Sequence, residues 1–340
     1  MDRPRRKFLA TGVAAGIAAA LPRSVVAQSG DVGPAMRERA LAFLAGLDQP
    51  KRDRATFGFA TQQRRGWNFM LGSSPAPGLA LENMSASEKD LALDLLATGT
   101  NAFGLEKALN IMLQQDILRD EWSKGSPDRN RERFSVQIYG TPSATGPWAW
   151  RWEGHHLSLT FTLLDDEVIS TTPSAFSSEP NTVPSGPHRG LVVLQEEETL
   201  GRALFSDLDG ATRRAALVWD NSPGNIQSVR GREVDVARQL AGVPLGDLSQ
   251  GQADMARRLI EVYTSEVLPR PLARIQDARI RGEDFDGMRF AWGGGSMEGS
   301  IYYRITGANM LIEFATLRNQ PQHLHAVFHD TARNFGAHQV

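Results

Sequence analysis

The segment Trp150-Arg151-Trp152-Glu153-Gly154-His155-His156-Leu157-Ser158-Leu159-Thr160-Phe161 recurs as Tyr303-Arg304-Ile305-Thr306-Gly307-Ala308-Asn309-Met310-Leu311-Ile312-Glu313-Phe314, with Arg, Gly and Phe identical and the apolar positions kept. Apolar residues at helical spacing precede each copy, over 35–47 and 87–118 before the first and over 196–218 and 250–267 before the second. Helices followed by a run of strands, twice over, imply an α+β fold: two similar helix-then-antiparallel-sheet halves forming a compact, pseudo-duplicated body. The boundaries expected are 28–190 for the first half and 191–340 for the second, integrated into one domain. A single core stops growing near ~250 to 300 residues, so a chain of this length suits two coupled halves.

The β blocks are legible from alternation. Residues 134–139, 148–152, 156–163 and 167–171 form the first, and residues 288–292, 300–306, 310–317 and 323–329 the second. Gly293-Gly294-Gly295 and Gly307-Ala308-Asn309 separate strands of the second block, as in an antiparallel meander. Residues 55–59 and 64–69 suit a strand or hairpin. Residues 172–189, rich in Pro, Ser and Gly, read as a long loop. Ser85 with Glu88, and Ser249 with Gln252, have the spacing of a capping box that opens a helix.

The first 27 residues read as an export signal. Arg5-Arg6-Lys7-Phe8-Leu9 precedes an apolar run over 10–21, and Val25-Val26-Ala27 offers small residues for cleavage. The paired arginines match a twin-arginine signal, whose machinery carries folded proteins, so the expected location is periplasmic or extracellular. The apolar run is shorter than the ~20 residues of a membrane span. Removing this leader takes five of 37 basic and one of 39 acidic residues, leaving a net charge near −6, which argues against nucleic acid as a partner. The chain has no cysteine, which excludes disulfides, thiolate ligands and a cysteine nucleophile.

Five of the seven histidines fall in two clusters, His155-His156 and His323, His325 and His329. Read as strand residues, His323 and His325 share a face, while His155 and His156 point to opposite faces. His155, His156, His323 and His325 are therefore the candidate ligands of a divalent metal, zinc, iron or copper, since histidine and oxygen are the strong donors available. Glu313 and Asp330 are the nearest carboxylates by sequence and the candidate catalytic acid–base groups. Glu313 is expected beside His323 and His325 across a hairpin. Trp148, Trp150 and Trp152 alternate on one strand. Trp150 and Trp152 are candidate walls for a ligand, against the alternative that such a row is core. Arg151 and Arg304 occupy matching positions and suit structural ion pairs. Ser143 or Ser158 beside histidine is a weaker nucleophile candidate, and the sequence contains no Gly-x-Ser-x-Gly elbow, His-Glu-x-x-His helix or P-loop.

Tyr139-Gly140-Thr141-Pro142-Ser143, Gly146-Pro147-Trp148-Ala149-Trp150 leading into Glu153-Gly154-His155-His156-Leu157, and Tyr303-Arg304-Ile305-Thr306-Gly307 with His323-Leu324-His325 resemble the DUF3500 family. The resemblance spans roughly residues 35 to 337 and implies an exported protein, bacterial in many members, of a family without an assigned chemistry. The family pattern has arginine before the aspartate where this chain has His329, and tyrosine where this chain has Phe335 before Gly336, which sets His329 apart from the other four. The residues themselves point to a metal-dependent hydrolase, or an oxidoreductase, on a small substrate. The alternative is a non-catalytic periplasmic protein that binds a metal or small ligand.

Overall fold

The computed structural model describes residues 32–70, 77–121, 128–228, 233–295, 299–337 and 340. The export signal read at 1–27 lies outside the described residues. Helices α1 (Val32–Gly46) and α2 (Gln49–Ala55) lead into strand β1 (Thr56–Phe57), then β2 (Leu79–Ala80), α3 (Ala86–Gly99) and α4 (Ala102–Asp120). Strands β3 (Ser135–Tyr139), β4 (Pro147–Gly154), β5 (Leu157–Leu164), β6 (Glu167–Ser170) and β7 (Ser174–Phe176) follow. Helices return as α5 (Gln195–Asp207) and α6 (Gly210–Ala216), then β8 (Leu217–Trp219), α7 (Glu233–Ala237), β9 (Val243–Pro244), α8 (Gln250–Thr264) and α9 (Arg270–Arg281). Strands β10 (Arg289–Gly293), β11 (Tyr302–Thr306), β12 (Met310–Leu317) and β13 (Gln320–Asp330) close the fold.

The capping boxes form as the spacing requires. The Ser85 hydroxyl accepts from the Glu88 N–H while the Glu88 carboxylate accepts from the Ser85 N–H, and Ser249 and Gln252 repeat the exchange at α8. The long helical stretch of the first half is two helices. Asn101 breaks it, its side chain accepting from the Gly104 N–H as the N-cap of α4. The stretch 196–218 likewise divides into α5, α6 and the edge strand β8.

Among the described residues the strands join in one mixed sheet of order β1-β3-β4-β5-β7-β13-β12-β11-β10-β8, with β2 also on β3, β6 on β5 and β9 on β10. The pairs β1–β3 and β8–β10 are parallel, and β3–β4, β4–β5, β10–β11, β11–β12 and β12–β13 are antiparallel. The seam is β7, which lies between β5 and β13 so that Ala175 faces both Ser158 and Val327. This strand falls inside the stretch expected to be a loop. Three residues are too few to show alternation, and the strand holds because it is paired on both edges.

Side chains two apart on a strand share a face, which sorts the sheet into two layers. Trp148, Trp150 and Trp152 are fully buried in the main apolar cluster, with Leu159, Phe161, Phe290, Trp292, Ile312 and Phe314 from the sheet and Leu95, Leu96, Ile111 and Leu259 from the helices. Trp150 stacks on Phe161 with ring centroids 4.5 Å apart. The ligand wall expected of Trp150 and Trp152 is therefore core, because helices cover that face of the sheet. The opposite face carries Arg151, Glu153, Glu313 and the histidines, and is covered by a smaller cluster that includes Trp67, Phe69, Ile226 and Phe335.

Candidate metal centre

Gly154 pairs with Leu157, so His155 and His156 form the two-residue turn of the β4–β5 hairpin. This corrects the strand reading, in which neighbours would point to opposite faces. His156 has φ of 72°, in the left-handed region that costs a non-glycine residue about 1–2 kcal/mol. Its backbone is held on both sides: its N–H donates to the Phe69 carbonyl at 2.7 Å, and its carbonyl accepts from the Ser177 N–H at 2.8 Å. The turn brings both imidazoles to one side, stacked with centroids 3.6 Å apart. Gly154 is required next to them, because a Cβ there would stand 2.4 Å from the Phe134 ring.

The second cluster meets the first across the seam. Strand β13 is tied to the segment after β7 by reciprocal bonds between Ser178 and Leu324, which sets His323 opposite the turn. The Nε2 atoms of His156 and His323 are 2.9 Å apart. One ligand atom from each of His155, His156 and His323 lies within 4.8 Å of the others. His325 is adjacent, its ring centroid 5.4 Å from that of His156 and 5.0 Å from that of His323. His156 and His325 are buried, whereas His155 and His323 are partly exposed.

Neighbouring oxygens set the tautomers. The Gln115 amide nitrogen donates to the Ile111 carbonyl, so its Oε1 accepts from His155 Nδ1 at 2.6 Å. Asn225 Oδ1 accepts from the Ile226 N–H and, at 2.7 Å, from His325 Nδ1. His323 Nδ1 faces Gln320 Oε1 at 3.1 Å and the Glu179 carboxylate at 3.4 Å, and Glu179 is itself paired with Arg129. An oxygen acceptor at Nδ1 holds the ring proton there and leaves Nε2 with its lone pair, and the His323 Nε2 faces His156. His156 Nδ1 is a buried polar atom without a hydrogen-bond partner.

The charge state suits metal binding as well. Burial, then the charge of Arg129 and the neighbouring His323, lowers the His155 pKa to about 3. Burial and the adjacent imidazoles hold His156 and His325 well below the ordinary histidine value. These rings are neutral at physiological pH, which is the ligating form. Two nitrogens about 2.0–2.1 Å from one zinc ion stand roughly 2.9–3.4 Å apart at angles between square and tetrahedral, and the His156–His323 separation lies in that range.

The two carboxylates expected here are elsewhere. Glu313 is opposite Val327, and Ala315 is opposite His325. The Glu313 carboxylate is fully buried and accepts from the Gln227 and Ser228 N–H groups and, at 2.6 Å, from the Tyr302 hydroxyl. Asp330 ends β13, five residues beyond His325 and so about 16 Å along the strand. His329 bonds Ser228 and Asn334 and packs edge-on to Trp67, apart from the other four. The Ser158 hydroxyl donates to Glu153, and Ser143 meets the Thr145 N–H in an exposed turn. Arg151 lies 3.7 Å from Glu153, and Arg304 bonds Gln239.

Sequence reasoning did not find Gln115, Glu179 or Asn225. Gln114-Gln115, a pair of amides amid the apolar positions of α4, is the one signal available, since both are buried.

The model of the family described as a protein of unknown function (DUF3500) matches residues 29–337, nearly the whole chain. The chain belongs to the DUF3500 family. No curated protein and no solved structure matches it. The DUF3500 match covers every residue of the imidazole cluster and every Nδ1 acceptor around it. No helix among the described residues is long and apolar enough to cross a membrane.

Proposed function

We propose that this DUF3500 protein binds a divalent transition metal through His155, His156 and His323, with His325 as a fourth imidazole at hand. The observation that carries the reading is the 2.9 Å approach of the His156 and His323 Nε2 atoms, in a cluster whose other rings have Nδ1 committed to oxygen acceptors. Such acceptors orient ligating imidazoles and raise their basicity. Zinc, copper and iron all accept this donor set.

The leading use of the metal is hydrolysis of a small substrate, with oxidoreductase chemistry the variant for copper or iron. Three imidazoles leave a position for water, and a metal so held brings the pKa of that water near neutrality. The alternative is a non-catalytic metal-binding protein of the periplasm. It is favoured by the nearness of His325, which in the fourth position closes the coordination shell, and by the absence of Glu313 and Asp330 from the cluster. Absorption spectra of the cobalt(II)-loaded protein and its His325→Ala variant separate the two. An unchanged spectrum and a site that takes up exogenous azide support the open centre, and a spectrum altered by the variant with no azide response supports the closed one.

We further infer an internal duplication, with halves 28–190 and 191–340. Support comes from the recurring segment and from the parallel edge pairs β1–β3 and β8–β10. In this reading the first half supplies His155 and His156 and the second supplies His323. Export by the twin-arginine machinery to the periplasm or cell exterior is part of the proposal and rests on Arg5-Arg6-Lys7-Phe8-Leu9.

A further inference from the structure

At the far end of β13 from the imidazole cluster, a cavity of about 190 Å³ lies between α9 and the β12–β13 pair. Its polar lining is Gln276, Arg279, Glu283, Asn309, Asp330 and Arg333, with Met310 and Phe328 among the apolar side. An engineered cavity of about 150 Å³ admits benzene, so this one has room for a slightly larger molecule.

Three of its polar atoms are buried and have no hydrogen-bond partner: Gln276 Nε2, Asp330 Oδ1 and Arg333 Nε. Buried polar groups are seldom left unpaired, so three among the lining residues of one cavity point to an occupant that supplies the partners. Of the other charged groups, Glu283 is engaged and Arg279 is largely available. Glu283 accepts from the Asn309 N–H and side-chain amide, and the Arg279 guanidinium makes one long contact, 3.4 Å, to the Ile169 carbonyl. Arg333 Nη1 approaches Asp330 Oδ2 only to 3.5 Å, which leaves its Nε edge unused. Gln276 is 2 % exposed and Asp330 6 % exposed, so neither is satisfied by bulk solvent.

The open valences are specific. Two guanidinium groups and an amide bring donors to the lining of this cavity, and a carboxylate with one unpartnered oxygen brings an acceptor. We propose that this cavity is a binding site for a small carboxylic acid that also bears a hydroxyl or ammonium group. Its carboxylate is held by Arg279, Arg333 and Gln276, and its donor by Asp330. Guanidinium recognises carboxylate through paired N–H bonds, and the unpaired Asp330 oxygen is what distinguishes this ligand from a simple anion. The site shares no residue with the imidazole cluster, so it stands whether or not that cluster holds a metal.

Isothermal titration calorimetry of the whole exported chain with propionate, lactate and alanine tests the proposal. Saturable binding of lactate or alanine at least tenfold tighter than propionate is expected. Arg333→Gln should weaken that binding at least tenfold, and Asp330→Asn should remove the preference over propionate while retaining carboxylate binding. His325→Ala should leave every affinity unchanged, which separates this site from the metal reading. Because Asp330 is buried, circular dichroism of each variant establishes that it folds, and Gln276→Met, which removes one donor and keeps the volume, gives an independent expected loss. Absence of saturable heat with all three acids in the folded wild-type protein, or equal affinity in wild type, Arg333→Gln and Gln276→Met, overturns it.

Discussion

The Nε2 atoms of His156 and His323 lie 2.9 Å apart although 167 positions of sequence separate the residues. The contact depends on two features that act together: the left-handed turn conformation of His156 itself, and β7, which pairs with β5 on one edge and β13 on the other and so joins the two halves of the sheet. Burial and the adjacent imidazoles hold the His156 pKa well below the ordinary histidine value, so its ring carries no charge that would oppose an ion.

Gln115 fixes the His155 ring from α4 and does not itself reach the cluster. Gln115→Leu keeps the volume and removes the acceptor. Metal affinity should fall about 10- to 100-fold, the usual cost of losing a partner that orients a ligating imidazole. Titration of the metal-stripped variant measures this, and an unchanged affinity would show that Gln115 orients nothing.

The Glu313 carboxylate satisfies two backbone N–H groups and a tyrosine hydroxyl in a fully buried site. Glu313→Gln presents an amide donor to one of those donors and removes a charge-assisted acceptor. Stability should fall by about 2–4 kcal/mol, read from urea denaturation, with metal affinity unchanged. A stable Glu313→Gln protein with weakened metal binding would return Glu313 to the centre.

Much of the fold was legible because alternation and capping are local. The β4 and β12 segments, the capping boxes at Ser85 and Ser249, and the mixture of helix and antiparallel sheet all follow from residues within a few positions of one another. Where the reading depended on distant partners, it departed from the structure. β7 is a strand because β5 and β13 pair with it, and no pattern in three residues encodes that. The position of Glu313 depends on register: one hairpin with a shift at Thr316 and Leu317 puts Ala315, and not Glu313, opposite His325. His155-His156 read as strand because Gly154 and Leu157 continue the alternation on both sides of a turn only two residues long. The clustering of histidines is visible in the sequence, whereas the oxygens that set their tautomers come from α4, two loops and the first residue of β13.

Trp150 shows the difference between wall and core. It is fully buried and stacked on Phe161 beneath the helices. Trp150→Ala should cost about 3–5 kcal/mol, as large aromatic truncations in cores do, and leave metal affinity within twofold. Calorimetric unfolding checks the first, and a wild-type Tm in the variant would contradict the core assignment.

His329 provides the pH dependence that lies outside the cluster. Burial lowers its pKa to about 3, below the value near 6.5 of an unfolded histidine. Between those values the unfolded chain binds the proton and the folded chain does not, so stability is full above about pH 6.5 and falls as pH drops toward 3. One such group contributes a slope of up to about 1.4 kcal/mol per pH unit. In metal-stripped protein, His329→Asn should reduce the measured proton uptake on unfolding at pH 5 by about one, while an unchanged uptake would contradict a buried neutral His329.

Isothermal titration of zinc(II) into the metal-stripped protein at neutral pH, for wild type, His156→Gln and His323→Gln, decides whether the imidazole cluster is a metal site. One ion should bind per wild-type chain and neither variant should show a saturable site, each variant retaining its circular dichroism spectrum. A wild-type protein that takes up no ion, or variants that bind as wild type does, would contradict the metal site.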